Sequence, residues 1–400
     1  MTPAGVYIHI PFCRSRCSYC DFATGMYESG IAARYVSALC SEINDWCEIR
    51  KPSVVDTIYF GGGTPSLLDT MQIARILNSI KDRFEVGDSA EITLEINPGD
   101  GGTSTATKQS RFGLDAALVR RYSRNESLYQ LCALGINRAS FGAQTFDDRD
   151  LKQLGRTHSA ADISSTFQQL RDAGFANINF DLIAGLPGQT QDGWKRNLEA
   201  ALKLRPEHLS LYLLDVHEGT PLADQIKSGM RPEPDDDLAA EMYKTMIEEV
   251  CAAGYEHYEI SNFCLPGFES RHNTKYWSGT AYYGFGCSAH SYDGARRRWA
   301  NERDAAKYVE MIGQHRSPIV ERTNLSDQDA RSESIFLGLR LMRGIDLQND
   351  RTRFGGDLRT EREVELALLR ESGLIEIDKD LLRLTTRGAL LSNEVFAALA

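Results

Sequence analysis

Two periodicities alternate along the first 250 residues. Short runs rich in β-branched and aromatic residues, Val6–Ile10, Val55–Phe60, Glu91–Ile96, Asn137–Gly142, Asn177–Ile183 and His208–Leu213, read as strands. Amphipathic stretches separate them: Ala32–Ile49, Met71–Phe84, Ser127–Leu134, Ala160–Ala173 and Gly193–Leu204, with Asp236–Ala253 after the sixth strand. Strands alternating with helices predict an α/β fold of parallel βα units. Six consecutive units predict a partial, TIM-like (β/α)6 barrel; a doubly wound sheet is the alternative that spacing alone leaves open. Residues 101–124 break the rhythm. They begin rich in Gly, Ser and Thr and turn basic and aliphatic, which reads as an inserted loop with a short helix over Leu114–Tyr122.

The pattern changes after residue 255. Tyr255–Tyr292 is dense in aromatics, Gly and His with little periodicity, and Asp327–Leu341 reads as a helix. The tail from Arg359 reads helix, short hairpin, helix, and Gly373–Ile377 beside Leu381–Leu384 resembles the wing of a winged-helix module. Its first helix carries Glu361, Glu363 and Glu365, which favours a structural or lid role over DNA binding. Three parts are expected: a core over 1–255, a region packing on it over 256–320, and a smaller, mainly helical, winged-helix-like domain over 321–400. A chain of 400 residues is long enough for more than one core.

The formal net charge of −11 argues against a nucleic-acid partner and against attachment to an anionic membrane. Arg296–Arg298 is a short basic run that reads as solvated surface. No apolar run approaches the roughly 20 residues that cross a bilayer, and Met1–Phe12 has neither a basic n-region nor a small-residue cleavage site. The expectation is a cytoplasmic protein without a membrane span. Nine cysteines then read as metal ligands plus buried thiols.

Three of those cysteines, Cys13, Cys17 and Cys20, have the spacing C-x3-C-x2-C in the loop after the first strand. A structural zinc site wants a fourth ligand, and no Cys or His follows nearby: position 22 is Phe, and His9 lies on the preceding strand. Three thiolates without a fourth suit a [4Fe–4S] cluster with one iron open to an exogenous ligand, such as the amine and carboxylate of S-adenosylmethionine (SAM). Zinc, or plain structural thiols, is the competing reading. Tyr19 is placed to pack against an adenine or simply within the loop. Further polar or glycine positions fall at strand ends, where parallel α/β folds collect ligands: Gly61-Gly62-Gly63-Thr64, Glu95, Gln144, Asp181, Gly185–Gln189 and Tyr212. Each alone reads more readily as structural.

Taken together these motifs resemble the radical SAM superfamily, and more narrowly the oxygen-independent coproporphyrinogen III oxidase-like proteins. The resemblance rests on Tyr7–Cys13, Phe60–Pro65, Glu95–Pro98, Asn137–Ser140 with Gln144, Asp181–Pro187, Tyr258–Asn262 and Leu391–Phe396. It implies a radical SAM core with a separate C-terminal domain. It also implies SAM contacts at Tyr7, at Gln144, at the Gly61–Thr64 loop (methionyl amine), at Glu95 and Asp181 (sugar or amine end), and at Arg156 alone for the carboxylate. The coproporphyrinogen-oxidising branch has a fourth cysteine where this chain has Phe22. The heme-chaperone branch has Phe there and an H-N-x-x-Y-W motif, matched by His272-Asn273-Thr274-Lys275-Tyr276-Trp277.

That branch implies heme as a third cofactor, His272 as axial ligand, Tyr276 and Trp277 stacking on the porphyrin, and Arg271 pairing with a propionate. Read from residues alone, a polar–aromatic cluster packing a domain junction is the commoner outcome, and the resemblance reverses that order. His290 is a second candidate ligand, while Cys264 and Cys287 default to buried thiols. The leading expectation is a heme chaperone that passes heme to an acceptor hemoprotein, with an electron donor for the cluster. The competitors are oxidative decarboxylation of coproporphyrinogen III and radical SAM catalysis on another substrate.

Overall fold

Six parallel strands stand side by side in chain order: β1 (Ala4–Ile10), β2 (Val54–Gly62), β3 (Glu85–Ile96), β4 (Arg138–Gln144), β5 (Asn177–Ala184) and β6 (His208–Leu213). The computed structural model describes residues 2–47, 54–99 and 126–400. The expected inserted loop and its helix at 101–124, and the end of the first expected helix, lie outside the described residues. Strand neighbours follow the sequence without a reversal. A doubly wound sheet would change winding direction at a switch point, so the order selects the partial-barrel reading. The sheet stays open and mixed.

Helices return the chain after β1, β2, β4, β5 and β6: α1 (Ser29–Asp45), α2 (Thr70–Arg83), α3 (Ala160–Asp172), α4 (Gln191–Leu204) and α5 (Asp236–Ala252). Their starts are written locally. Asp69 with Gln72 and Ser159 with Asp162 close reciprocal capping boxes, and Thr190 and Asp235 accept from backbone amides in the first turn. Each buries one apolar stripe on the sheet, as Ile73, Ile76, Leu77 and Ile80 do in α2.

The chain from Tyr255 to Asn324 supplies six more strands, four of them within the aperiodic Tyr255–Tyr292, which the sequence pattern did not announce. β7 (Glu256–Glu259) and β8 (Asn262–Cys264) add antiparallel beside β6. At the other edge β9 (Tyr282–Phe285) pairs parallel with β1, followed by antiparallel β10 (His290–Tyr292), β11 (Arg297–Asn301) and β12 (Ile319–Asn324). Runs of three to six residues are too short for a period-2 pattern to be read. Between the two edges, α6 (Arg271–Trp277) crosses the N-terminal ends of β1–β3.

The C-terminal part starts with α7 (Asp327–Leu339) and contains the expected hairpin, Ile375–Asp378 with Leu381–Leu384. It is tied to the sheet by Arg298 of β11 pairing with Glu333 of α7 and, at the opposite edge, by a buried junction. Glu259 is fully buried; one carboxylate oxygen accepts from Arg340 at 2.7 and 3.0 Å, the other from the Ser261 amide and Asn262 Nδ2 at 2.9 and 2.6 Å. Removing one member of a buried pair strands its partner. Glu259→Ala is therefore expected to cost about 3 kcal/mol, read as a lower urea midpoint.

Candidate functional site

β1 ends at Ile10, and the cysteine loop follows at the C-terminal mouth of the parallel strands. The loop is held by backbone. Gly63 N–H donates to Ile10 O at 2.8 Å, Thr64 N–H to Phe12 O at 2.7 Å and Ser18 N–H to Leu154 O at 3.0 Å. The His9 ring donates from Nε2 to Ala23 O at 3.1 Å and is bonded at Nδ1 to Tyr7 Oη at 3.1 Å. Cys13, Cys17 and Cys20 are free and partly exposed. Arg156 Nη1 donates to Cys17 Sγ at 3.3 Å, and Thr64 Oγ1 lies 3.7 Å from Cys13 Sγ. Burial pushes the Cys13 thiol up to about 11 and raises that of Cys20, so a bound cation would have to displace their protons. Among the described residues no three His, Cys, Asp or Glu side chains close around one ion position in this conformation, so the thiols would have to draw together around a zinc ion or a cluster alike. Three unpaired thiols with donors directed at two of them fit a thiolate-bound cluster.

The glycines at the end of β2 serve this loop. Gly62 has φ +107°, and a Cβ there would lie 2.5 Å from the His9 ring. A Cβ on Gly63 would lie 2.6 Å from Phe12 O. The amides of Gly62, Gly63 and Thr64 are all spent on protein acceptors, namely Glu95, Ile10 and Phe12. What the loop can still turn toward a ligand's amine is its carbonyls.

Below the mouth lies a cavity of about 430 Å³, lined by Tyr19 and Cys20 at the top, Tyr59, Glu95, Gln144 and Asp181 along the wall, and Arg138 and Asn273 deeper in. Glu95 accepts from Tyr59 Oη at 2.8 Å and from Gly62 N–H at 3.1 Å, and burial raises its carboxyl to about 7. Burial also raises Asp181, which accepts from Asn179 Nδ2 at 2.8 Å. Gln144 holds φ +64°, a conformation costing about 1–3 kcal/mol in a non-glycine residue and commonest at ligand sites. Tyr19 packs on Leu154, Ile183 and Leu186. Arg156 stands outside this wall. It donates to Asn97 Oδ1 and Gly142 O at 2.8 and 2.7 Å, beside the cysteine loop. Sequence reasoning missed Tyr59, Asn179 and Arg138. For Arg138 the signal was a cation inside a strand run.

The H-N-x-x-Y-W segment is arranged differently from the expectation. His272 has no exposure and points into the barrel floor, with Nδ1 bonded to Thr57 Oγ1 at 2.9 Å and Nε2 to Tyr276 Oη at 2.9 Å. Glu91 accepts the amides of Arg271 and His272 at 3.2 and 3.1 Å, and Asp56 pairs with Arg271 and Lys275 at 3.0 and 2.6 Å. Arg271 is thus committed to Asp56. Trp277 turns the other way, under the Arg340 guanidinium at 4.3 Å. In this conformation the three motif side chains form no common face, and His272 offers no free nitrogen. Tyr276 does reach a second cleft of about 360 Å³, shared with Tyr7, His9, Phe22, Tyr282, Arg303 and the exposed His290.

Residues 7–201 match the Radical SAM superfamily model, and residues 325–391 match the HemN C-terminal domain. The protein named heme chaperone HemW from Bacillus subtilis is 36% identical over 394 residues, 98% of both chains. That from Mycobacterium tuberculosis strain H37Rv is 34% identical over 400 residues, 99% of this chain and 95% of its own. The mitochondrial radical S-adenosyl methionine domain-containing protein 1 of Bos taurus is 33% identical over 86% of this chain and 75% of its own. The solved coproporphyrinogen III oxidase HemN of Escherichia coli superposes with a TM-score of 0.81 at 23% identity, covering 99% of this chain and 90% of that one, which is a likeness of fold.

Two outcomes are expected from this geometry. Gly62→Ala forces both a left-handed backbone and a clash, so it should cost about 2 kcal/mol or more and lower iron uptake on reconstitution, read by iron and sulfide analysis. Glu95 keeps its proton to about pH 7 when folded, against an ordinary value of 4.5. The stability this contributes is complete below the unfolded value and lost as pH rises through the folded one. Between about pH 5 and pH 7.5 the melting temperature of the ligand-free protein should therefore drop relative to that of Glu95→Gln, whatever slope the buried histidines, lowered by burial, add to both. Glu95→Gln removes this one contribution and keeps those of the other buried groups, among them Glu42, also raised to about 7, and Asp181.

Proposed function

Because this chain belongs to the radical SAM superfamily and to the family of the HemW proteins, we propose that it binds heme and hands it to an acceptor hemoprotein, with a [4Fe–4S] cluster and SAM at the mouth of the lumen. The observation that carries the reading is the loop of three free thiols closed by Phe22. This 63% exposed ring occupies the position where the coproporphyrinogen-oxidising branch carries a cysteine. Cys13, Cys17 and Cys20 would hold the cluster, which supplies a single electron when bound, to a sulfonium that SAM brings. Arg156 and Thr64 donate toward the ligating sulfurs and steady their charge. Glu95, Gln144 and Asp181 face the cavity where the sugar and amine of SAM would lie, and Tyr19 forms a wall for the adenine.

For heme, the reading favours the second cleft. Tyr7, Tyr276 and Tyr282 give it aromatic walls, Arg303 a cation for a propionate, and His290 an exposed imidazole for the iron. His272 reaches iron only if Tyr276 releases Nε2. An acceptor hemoprotein and an electron donor complete the proposal, in a reducing, cytoplasmic setting that would keep all nine cysteines as free thiols. Among the described residues no helix is long and apolar enough to cross a membrane.

Absorption spectra of anaerobically purified protein, with and without hemin, test the cluster and the heme site together. Iron–sulfur absorption and a shifted Soret band are expected. Conversion of coproporphyrinogen by reconstituted protein with SAM, or zinc in place of iron and sulfide, overturns the reading. His290→Ala should weaken hemin binding at least tenfold with an unchanged melting temperature, whereas His272→Ala should chiefly lower stability. The opposite pattern would mean that α6 opens to present His272.

A further inference from the structure

Arg138, the first residue of β4, is 1% exposed and lines the deep end of the lumen cavity. Its Nε is buried without a hydrogen-bond partner, and no hydrogen bond or ion pair reaches its guanidinium among the described residues. This sets it apart from the polar groups around it. Asn179 donates to Ser140 Oγ at 2.7 Å and to Asp181; His208 donates to Asn179 Oδ1 at 2.6 Å and accepts from Tyr258 Oη at 2.7 Å. Of the arginines in the described residues it alone is buried.

A guanidinium cannot shed its charge by deprotonating. An interior cation without a partner is costly and persists where something else supplies the counter-charge. Glu95 and Asp181 share the lumen but do not supply it by contact. Glu95 is engaged by Tyr59 and Gly62 and Asp181 by Asn179, with no ion pair to Arg138; the charge of Arg138 favours both carboxylates through space, but burial outweighs it and raises both. The cavity opens past them toward the cysteine loop, so the free fork of Arg138 faces whatever fills it.

We propose that Arg138 is a carboxylate receptor on the lumen floor, binding a carboxylate of the molecule that occupies the cavity. The planar fork matches a carboxylate through two parallel N–H donors. Two molecules in the proposed function carry that group: heme on its propionates, one of which could pass from the second cleft into the lumen beside Phe22, which borders both cavities, and SAM on its methionyl end, which the cluster reading instead directs to the open iron and which serves as the contrasting probe. The choice of these two probes rests on that reading; the unpaired guanidinium does not.

The test uses full-length, cluster-reconstituted protein and the variants Arg138→Met and Arg138→Lys. Melting temperatures are taken without ligand, and affinities are measured for SAM, hemin and hemin dimethyl ester. Arg138→Met removes an unpaired interior charge and fills its volume, so its ligand-free melting temperature should equal or exceed that of the wild type. Its affinity for one carboxylate-bearing probe should fall at least tenfold. If SAM is the occupant, SAM binding falls and hemin binding does not. If the tetrapyrrole is, hemin binding falls while the dimethyl ester binds wild type and variant alike. Arg138→Lys keeps the charge without the fork and should lose part of the same affinity, which decides the matter should Arg138→Met fail to fold. Unchanged affinity for both acids overturns the proposal, and a lowered melting temperature alongside it would make Arg138 the counter-charge of Glu95 and Asp181. A wild type that binds no hemin removes the proposed function and leaves Arg138 to be judged on SAM.

Discussion

Polar side chains shut inside β1–β6 must find partners there, because the strands and the helices behind them keep water out. This constraint divides the lumen. Toward the floor, Arg138 apart, the polar groups find partners: Thr57 meets His272, His272 meets Tyr276, and Asn179, Ser140, His208 and Tyr258 form one connected set. Toward the mouth the protein leaves groups less than satisfied, with Glu95 and Asp181 raised by burial and Gln144 in a left-handed backbone. Those are the places where a ligand gains by arriving.

The same economy of space governs the mouth. Gly61, Gly62 and Gly63 are needed less for openness to a ligand than for closeness to the protein. Side chains there would strike Tyr59, the His9 ring and the backbone of Phe12. Their small size lets β2 press on β1, and the amides that result clamp the cysteine loop. The position of the three thiols is therefore set by a strand whose own sequence contains no metal ligand.

How much of this the sequence disclosed follows from how local each feature is. The βα rhythm was legible because α2–α5 each carry their own cap and each helix its own apolar stripe. The cysteine loop was legible because its spacing and its place after a strand lie within twenty residues. The edge strands were not, since Tyr282–Phe285 becomes a strand only by pairing with β1, which is some 275 residues earlier in the chain. The orientation of His272 was hidden for the same reason. Its helix spans seven residues, and the groups that turn it inward, Glu91 and Thr57, come from β2 and β3. Arg138 was in plain view, but whether a strand residue faces lumen or helix depends on the register of its neighbours, Thr93 and Asn177.

Tyr276 is where the satisfied floor and the open cleft meet. Its hydroxyl holds His272 Nε2, while its ring forms a wall beside Tyr7, Tyr282 and His290. Burial, with help from Lys275 and Arg138, lowers His272 to about 3, so the ring is neutral at any physiological pH. Neutral imidazole is the form that coordinates iron; what withholds His272 is therefore one hydrogen bond and the seating of α6, not its protonation. That seating depends on Glu91 at the helix start and on Asp56 between Arg271 and Lys275. A molecule that displaced Tyr276 from the cleft side would leave a buried ring nitrogen without a partner, at a cost of about 1–3 kcal/mol. The ring must then either be bonded anew or move. Occupancy of the cleft and the packing of the barrel floor are coupled through that single side chain.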